Sequence, residues 1–93
     1  MSEFFQIFVW NPGKKTIAID VNNETIMSEI VNIVEKKMKV PKKFFYITYG
    51  LKNLSNSDYI NETISSLNTK CALNISKDSF LEFHIRSVAL YNG

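Results

Sequence analysis

Few side chains in this sequence could take part in catalysis or in metal binding. Cys71 and His84 are the only cysteine and the only histidine, so they form the one nucleophile–base pair that the chain offers. Cys71 falls in a polar stretch and His84 in a predicted strand, and nothing in their spacing brings them together. A metal site needs three or four suitable ligands, and three scattered glycines do not make a phosphate-binding loop. We therefore expect no enzyme, no metal site and no cofactor.

The composition is that of one small domain. The chain has 93 residues and a formal net charge of +2, and all of its basic residues except Arg86 are lysines. The lysines cluster weakly near one predicted helix end, which suits a solvated surface and lacks the density of a nucleic-acid-binding stripe. No secretory signal or membrane-spanning run is visible, and a lone cysteine fits a reducing compartment. We expect a cytoplasmic or nuclear chain, monomeric on its own, without direct nucleic acid contact or membrane association.

One stretch, Thr25 to Met38, predicts the amphipathic helix around which the other elements are arranged. Its large apolar side chains recur at helical spacing, and the predicted buried face consists of Ile26, Ile30, Ile33, Val34 and Met38. Thr25 is the expected N-cap, because its hydroxyl can accept a hydrogen bond from a backbone N–H of the first turn. Val40-Pro41 ends the helix, because a residue before proline is disfavoured in the helical region.

Strand patterns flank this helix on both sides. Residues 4–11 and 16–21 alternate in polarity and are separated by Asn11-Pro12-Gly13-Lys14, so they predict a hairpin. Residues 44–49 predict a third strand, and Asn53-Leu54 predicts a short fourth one.

The last third of the chain is less regular. Residues 55–77 are polar and predict a long loop with one helical turn near Ile64 to Leu67. Residues 80–86 predict the last strand, whose inward side chains are expected to be Leu81, Phe83 and Ile85.

These elements resemble ubiquitin in their order and in several short matches. The matching segments are Gln6-Ile7-Phe8-Val9, Gly13-Lys14, Thr16-Ile17 with Val21, Thr25-Ile26, Val40-Pro41, Lys52 with Leu54, Thr63-Ile64-Ser65 and the strand from Ser79 to Arg86. The resemblance covers residues 4–86 as one ubiquitin-like domain and leaves 87–93 as a C-terminal tail. It implies an α+β, ubiquitin-like β-grasp: a mixed four- to five-stranded sheet curled over one helix, with the first and last strands paired at its centre.

Two departures from ubiquitin bear on function. Ubiquitin and its conjugated relatives end in Gly-Gly, whereas this tail carries a single glycine, Gly93, so conjugation is not expected. The Leu, Ile and Val of the ubiquitin receptor patch align with Pro12, Thr48 and His84. A pocket shaped for those aliphatic groups would lose roughly 1–3 kcal/mol for each, so ordinary ubiquitin receptors and deubiquitinases are not expected to bind.

Side chains on the predicted outer face of the sheet, away from the helix, form the candidate protein-binding site. They are Phe8, Trp10, Tyr46, Thr48, His84 and Arg86. Trp, Tyr and Arg dominate binding hot spots, and an imidazole at His84 would make binding pH-sensitive. Alternatively, the chain itself covers this face, either with the loop Asn68–Asp78, which is enlarged relative to ubiquitin by about ten residues, or with Leu90 and Tyr91 of the tail.

Two functions follow from these expectations. The first is a noncovalent ubiquitin-like protein-binding module, an adaptor that docks through its outer sheet face onto another protein or a large assembly. The alternative is a ubiquitin-like modifier or a ubiquitin-like fusion partner of a ribosomal protein. A reading frame that continues past Gly93 would indicate the fusion partner. An enzymatic function is the least supported, because the sequence offers few residues that could act together in catalysis.

Overall fold

The alternating and helical polarity patterns become strands and helices in a computed structural model, which describes residues 3–86. The regular elements, in chain order, are β1 (Phe5–Trp10), β2 (Ile17–Val21), α1 (Met27–Met38), β3 (Phe45–Tyr49), β4 (Lys52–Asn53), α2 (Ile64–Lys70) and β5 (Phe80–Ile85). A short 3-10 turn at Lys42–Phe44 leads into β3. Over the described residues the chain is therefore a small α+β domain with a five-stranded mixed sheet and two helices.

The first and last strands lie side by side at the centre of the sheet. The strand order is β2-β1-β5-β3-β4; β1 and β5 run parallel, and the other neighbouring pairs are antiparallel. The β1–β2 hairpin closes where the N–H of Lys14 donates to the carbonyl of Asn11 at 2.9 Å. Gly13 adopts a φ of +77° there, a conformation that costs glycine little. The predicted hairpin is thus present, with ends within one residue of those expected.

Helix α1 packs on the inner face of the sheet through a stripe that differs from the predicted one. Its buried side chains are Met27, Ile30, Val31 and Val34. At about 100° per residue this stripe is rotated by roughly 50° from the expected face. Ile33 is only partly buried, and Ile26 lies half-buried just before the helix. The prediction was right for Ile30 and Val34, whereas Ile26 and Ile33 lie at the margin of the packed face.

The two ends of α1 are closed by different groups. Ile26 is the N-cap, and its N–H donates to Oε1 of Glu29 at 2.9 Å. The hydroxyl of Thr25 instead accepts from the N–H of Asn22 at 2.9 Å, so the prediction of Thr25 as N-cap was wrong. At the other end Lys39 takes the left-handed conformation that commonly terminates helices. The helix therefore stops after Met38, as its pattern predicted.

A second helix, α2, is longer than the single turn that the sequence indicated. Its N-cap is Thr63, whose hydroxyl accepts from the N–H of Ser66 at 3.0 Å. Ile64 and Leu67 are fully buried in the same core as α1 and the sheet. Packing of this short apolar face explains why a Ser- and Asn-rich stretch is helical here.

The starts of the two helices exchange backbone hydrogen bonds. The N–H of Met27 in α1 donates to the carbonyl of Glu62 at 2.9 Å, and the N–H of Ile64 in α2 donates to the carbonyl of Thr25 at 3.0 Å. The first N–H groups of a helix have no partner within it. Each helix therefore begins against the segment that precedes the other, which fixes their relative position.

The segment from residue 71 to 79 packs on the core side of the domain. The side-chain amide of Asn68 donates to the carbonyl of Ile75 at 3.0 Å, and its oxygen accepts from the N–H of Ile75 at 2.8 Å. Ile75 itself is buried. The carbonyl of Ser79 then accepts from the N–H of Phe8 at 2.9 Å, which starts β5 alongside β1.

Strand β5 is buried along most of its inner side. Leu81 and Phe83 are buried as predicted, whereas Ile85 is 60% exposed. Ile85 lies on the same side of β5 as Leu81 and Phe83. It nevertheless borders an open cleft together with Val40, beyond the end of α1. Ile85 therefore has the predicted inward orientation, but it remains exposed at the end of the strand, where α1 does not cover it.

Candidate functional site: the outer sheet face

Three adjacent strands, β1, β5 and β3, bring the predicted site residues to the face opposite the core. In register, Tyr46 lies opposite His84, and Glu82 lies between Trp10 on one side and Thr48 on the other. We use the name outer-face cluster for Phe8, Trp10, Tyr46, Thr48, Phe80, Glu82, His84 and Arg86. The cluster extends across the middle of the sheet, where three strands support it.

The imidazole of His84 is held by two neighbours from β3. Its ring stacks on Tyr46 with centroids 4.9 Å apart and an interplanar angle of 17°. Its Nε2 lies 3.0 Å from Oγ1 of Thr48. Thr48 is only 8% exposed, so it offers a partner little surface of its own. Its contribution to the cluster is to fix the orientation of His84.

Glu82 gives the centre of the cluster a negative charge. Its Oε1 lies 3.4 Å from Nε2 of His84. Both side chains are partly exposed, so water screens the contact between them. Glu82 and His84 therefore give the centre of the cluster polar groups that a partner can reach.

The apolar part of the cluster is on β1 and the start of β5. The rings of Phe8 and Phe80 stack with centroids 5.0 Å apart. Phe80 is 56% exposed and Trp10 is 43% exposed, although both are large apolar residues. Aromatic side chains this exposed lose the hydrophobic stabilisation that burial would give them. A partner that covered them would supply that stabilisation.

Arg86 is fixed at the edge of the cluster. Its backbone N–H donates to the carbonyl of Phe44 at 2.7 Å, and its Nε donates to the carbonyl of Phe45 at 3.1 Å. The guanidinium carbon lies 5.3 Å from the centre of the Tyr46 ring, within the range of a cation–π contact. The positive charge of Arg86 therefore has a defined position beside the stacked Tyr46 and His84.

Sequence reasoning missed two members of the cluster, Phe80 and Glu82. Both share the parity of His84 along β5, so the same alternation that identified His84 would have placed them on the outer face. Glu82 matters most, because it is opposite both Trp10 and Thr48.

The contacts of residues 71–79 show whether the loop Asn68–Asp78 covers the outer face. Its buried anchor is Ile75, and the hydroxyl of Tyr49, a core-side residue of β3, donates to the carbonyl of Asn74 at 3.1 Å. Trp10 and Phe80 remain exposed, so this segment does not seal them. The expectation that Leu90 and Tyr91 could cover the face falls outside the described residues.

Cys71 and His84 occupy opposite sides of the domain. Cys71 is the C-cap of α2 and packs against the core, whereas His84 is on the outer face. The fold therefore does not bring the single nucleophile–base pair together. Within residues 3–86 there is also no group of three or more His, Cys, Asp or Glu residues that would hold a metal ion.

Comparison with known protein families finds no family model that matches this chain, and comparison with curated protein sequences finds no match either. Neither helix among the described residues has the length and apolar character needed to cross a bilayer. Over the described residues the chain is thus a small α+β domain with one sheet face packed against the core and the other carrying exposed aromatic side chains.

Proposed function

We propose that this chain is a noncovalent ubiquitin-like protein-binding module of the β-grasp type. The order of elements supports the assignment: a hairpin, a helix, a strand, a two-residue strand, a short helix and a last strand. The parallel pairing of β1 with β5 at the sheet centre, with α1 against one face, has the arrangement that the resemblance to ubiquitin implies. In this proposal the module acts as an adaptor that docks onto another protein or a large assembly.

The observation that carries the proposal is the exposed aromatic content of the outer-face cluster. Trp10 and Phe80 are exposed on the same sheet face as the stacked Tyr46 and His84, on central strands rather than on loops. Exposed apolar patches rimmed by polar groups are typical of interaction sites. Trp, Tyr and Arg are also the residue types that contribute most to binding energy when a partner buries them.

The partner is expected to differ from the receptors of ubiquitin. At the positions of the aliphatic receptor patch this chain has Pro12, which is exposed in the hairpin turn, and the hydrogen-bonded Thr48 and His84. A complementary surface would need an apolar pocket for Trp10 and a polar group opposite Glu82 or His84. A receptor shaped for three aliphatic groups lacks both features.

Paired truncation of two aromatic residues of the outer-face cluster tests the docking face. Trp10→Ala combined with Tyr46→Ala removes two aromatic anchors, and we expect the proteins captured by the tagged wild-type chain from an extract of its source to be lost. Truncation of hot-spot residues typically costs about 2 kcal/mol or more each, so retention should fall by more than tenfold. Quantitative mass spectrometry of the captured proteins provides the measurement.

Leu51→Ala is the matched control, because Leu51 is a fully exposed apolar residue on the β3–β4 turn, away from the cluster. This variant should capture the same proteins as the wild type. Circular dichroism must show that the double variant is folded. Equal capture by the folded double variant and the wild type would remove the outer face as the docking site.

The alternative, a modifier or a fusion partner, makes different predictions. Incubation with a ubiquitin-activating enzyme and ATP would produce a thioester or isopeptide adduct through Gly93 if the chain is a modifier. We expect no adduct, because Asn92 precedes Gly93 where the conjugated relatives of ubiquitin have a second glycine. A native transcript whose reading frame continues past Gly93 into a ribosomal protein would instead favour the fusion partner.

A further inference from the structure

A cleft at one end of the sheet has features that the outer-face cluster does not use. It lies between the β1–β2 turn, the last turn of α1 and the end of β5, and its volume is about 250 Å³. Met38, Val40, Phe83 and Ile85 form its apolar base. Small-molecule and cofactor sites usually have volumes of about 300–1,000 Å³. The cleft therefore suits one large side chain better than a cofactor.

Lysines line the rim of this cleft. Lys14 and Lys15 come from the hairpin turn and Lys37 from α1, and none of the described residues that line the cleft is acidic. Within the part of the chain that the structure describes, none of these three lysines forms an ion pair. Their positive charge is uncompensated, so it would attract a negatively charged group brought to the cleft.

The backbone that carries these lysines has a fixed geometry. The hairpin turn is closed by its own hydrogen bond from Lys14 to Asn11, and α1 ends in the left-handed Lys39. The side-chain amide of Asn11 lies 3.9 Å from the sulfur of Met38, which connects the turn to the helix end. Because the walls are ordered before a ligand arrives, binding costs less conformational entropy.

We infer that this lysine-rimmed cleft binds an acidic peptide segment with one large apolar side chain. The apolar side chain fills the base, and carboxylates on either side of it pair with Lys14, Lys15 and Lys37. The last turn of a helix carries partial negative charge, so the ammonium groups, not the backbone, hold the carboxylates. This site does not depend on the proposed docking through the outer face.

Another cavity in the described residues lacks these features. It has a volume of about 670 Å³ and is lined by Tyr49, Leu51, Lys52 and Leu73, among others. Its one cation is already engaged, because Nζ of Lys52 lies 3.4 Å from the hydroxyl of Tyr59 and faces the ring. Nothing in that cavity selects one class of ligand.

Fluorescence anisotropy with a synthetic probe tests the inference on the full chain. The probe is the labelled peptide Asp-Glu-Asp-Phe-Glu-Asp-Glu, titrated at low ionic strength, and we expect saturable binding. Lys37→Glu should weaken it by about fivefold, since it replaces an attraction by a repulsion. Lys36→Glu is the matched control: it makes the same charge change in the same helix turn, at an exposed residue that does not line the cleft.

The apolar base is tested separately. Ile85→Ser should weaken binding of the probe peptide by about fivefold, because an apolar contact is lost. The fold should tolerate the change, since Ile85 is exposed. Leu51→Ser, an equally drastic change at an exposed site, should have no effect. The peptide with Ser in place of Phe should also bind about fivefold more weakly.

Several outcomes would overturn the inference. Equal losses from Lys36→Glu and Lys37→Glu, or equal binding of the Ser peptide, would show unspecific charge attraction. If an oligothymidylate with the same charge as the peptide bound as tightly as the peptide, the ligand of the cleft would be nucleic acid instead. An equal loss from Trp10→Ala would place the peptide on the outer face. The absence of saturable binding would also refute the site.

Discussion

At the scale of single residues, the outer face depends on a polar contact that is nearly buried. Thr48 is the one polar residue among the described buried side chains, and its hydroxyl meets Nε2 of His84. Leaving a buried polar group without a partner is costly, so the imidazole stabilises Thr48 as much as Thr48 orients the imidazole. The position of His84 is therefore a property of the folded sheet, present before any partner binds.

Thr48→Val should destabilise the domain by about 1 kcal/mol, because it removes this hydrogen bond while keeping the branched shape of the side chain. Urea unfolding followed by tryptophan fluorescence would measure the change. Thr16→Val is the control at an exposed position before β2 and should stay within about 0.5 kcal/mol. A change at Thr48 no larger than at Thr16 would mean that the contact contributes nothing.

A second residue, Glu62, has an ionisation that the fold perturbs. The hydroxyl of Ser66 donates a hydrogen bond to its carboxylate and lowers its pKa, and the ammonium of Lys70, 3.0 Å away, lowers that pKa further. A lowered pKa in the folded state means that the ionised form favours folding. This contribution is present at neutral pH and is lost as the pH falls below the ordinary value of about 4.5 towards the lower pKa of the folded state.

Glu62→Gln should therefore reduce the part of the stability that is lost on acidification. At pH 7 the variant should melt at a lower temperature than the wild type, and this difference should shrink below pH 4.5. Asp58→Asn, at an exposed carboxylate on the neighbouring turn, provides the comparison. A constant difference between wild type and Glu62→Gln across this range would show that Glu62 is not linked to folding.

At the scale of elements, α1 shows where a polarity pattern is ambiguous. Ile26, Ile30, Ile33 and Val34 have helical spacing, and so do Met27, Ile30, Val31 and Val34. The apolar side chains of the helix span an arc of about 160°, wider than either stripe alone, so the pattern alone cannot choose the buried stripe. The contacts of α1 with the sheet and with α2 determine which stripe is buried, and these contacts depend on distant parts of the chain.

Met27→Ala should cost about 2–5 kcal/mol, because Met27 is fully buried in the core. Ile33→Ala should cost clearly less, because Ile33 is only partly buried at the margin of the stripe. Denaturant midpoints of the two variants measure the contrast. A larger loss for Ile33→Ala would restore the face that the sequence pattern suggested.

Other elements were predictable to different degrees for physical reasons. The hairpin, β3 and β5 follow from strict alternation, which is a local signal. Helix α2 was underestimated because Ser, Asn and Thr are weak helix formers, and its helicity comes from burying Ile64 and Leu67. Thr25 has the right chemistry for an N-cap, but its hydroxyl is taken by the N–H of Asn22 in the preceding turn.

At the scale of the whole molecule, the parallel contact between β1 and β5 joins the first and last strands of the described chain. Alternation is sufficient to place all eight members of the outer-face cluster on one face, although only six were predicted, but it does not predict their contacts. The stack of His84 on Tyr46 and the position of Glu82 between two strands depend on the register of pairs far apart in sequence. Single-strand patterns carry no information about that register.

Hydrogen exchange should reflect the strand order. Amides of the paired central strands β1 and β5 should exchange only through global unfolding, because both strands have neighbours on each side. Amides of β4, a two-residue edge strand, should exchange at least about tenfold faster through local opening. Native-state exchange followed by NMR measures both sets. Uniform protection across all five strands would contradict this hierarchy.

The central place of β5 also governs when the protein can fold during synthesis. Until the ribosome has released residue 85, β1 and β3 have no strand between them, and the sheet consists of two separate hairpins. Isolated two-stranded hairpins are at best marginally stable in water. The sheet of the described domain therefore cannot be completed until β5 has left the exit tunnel, and until then Trp10 and the residues of the future core stay accessible to chaperones.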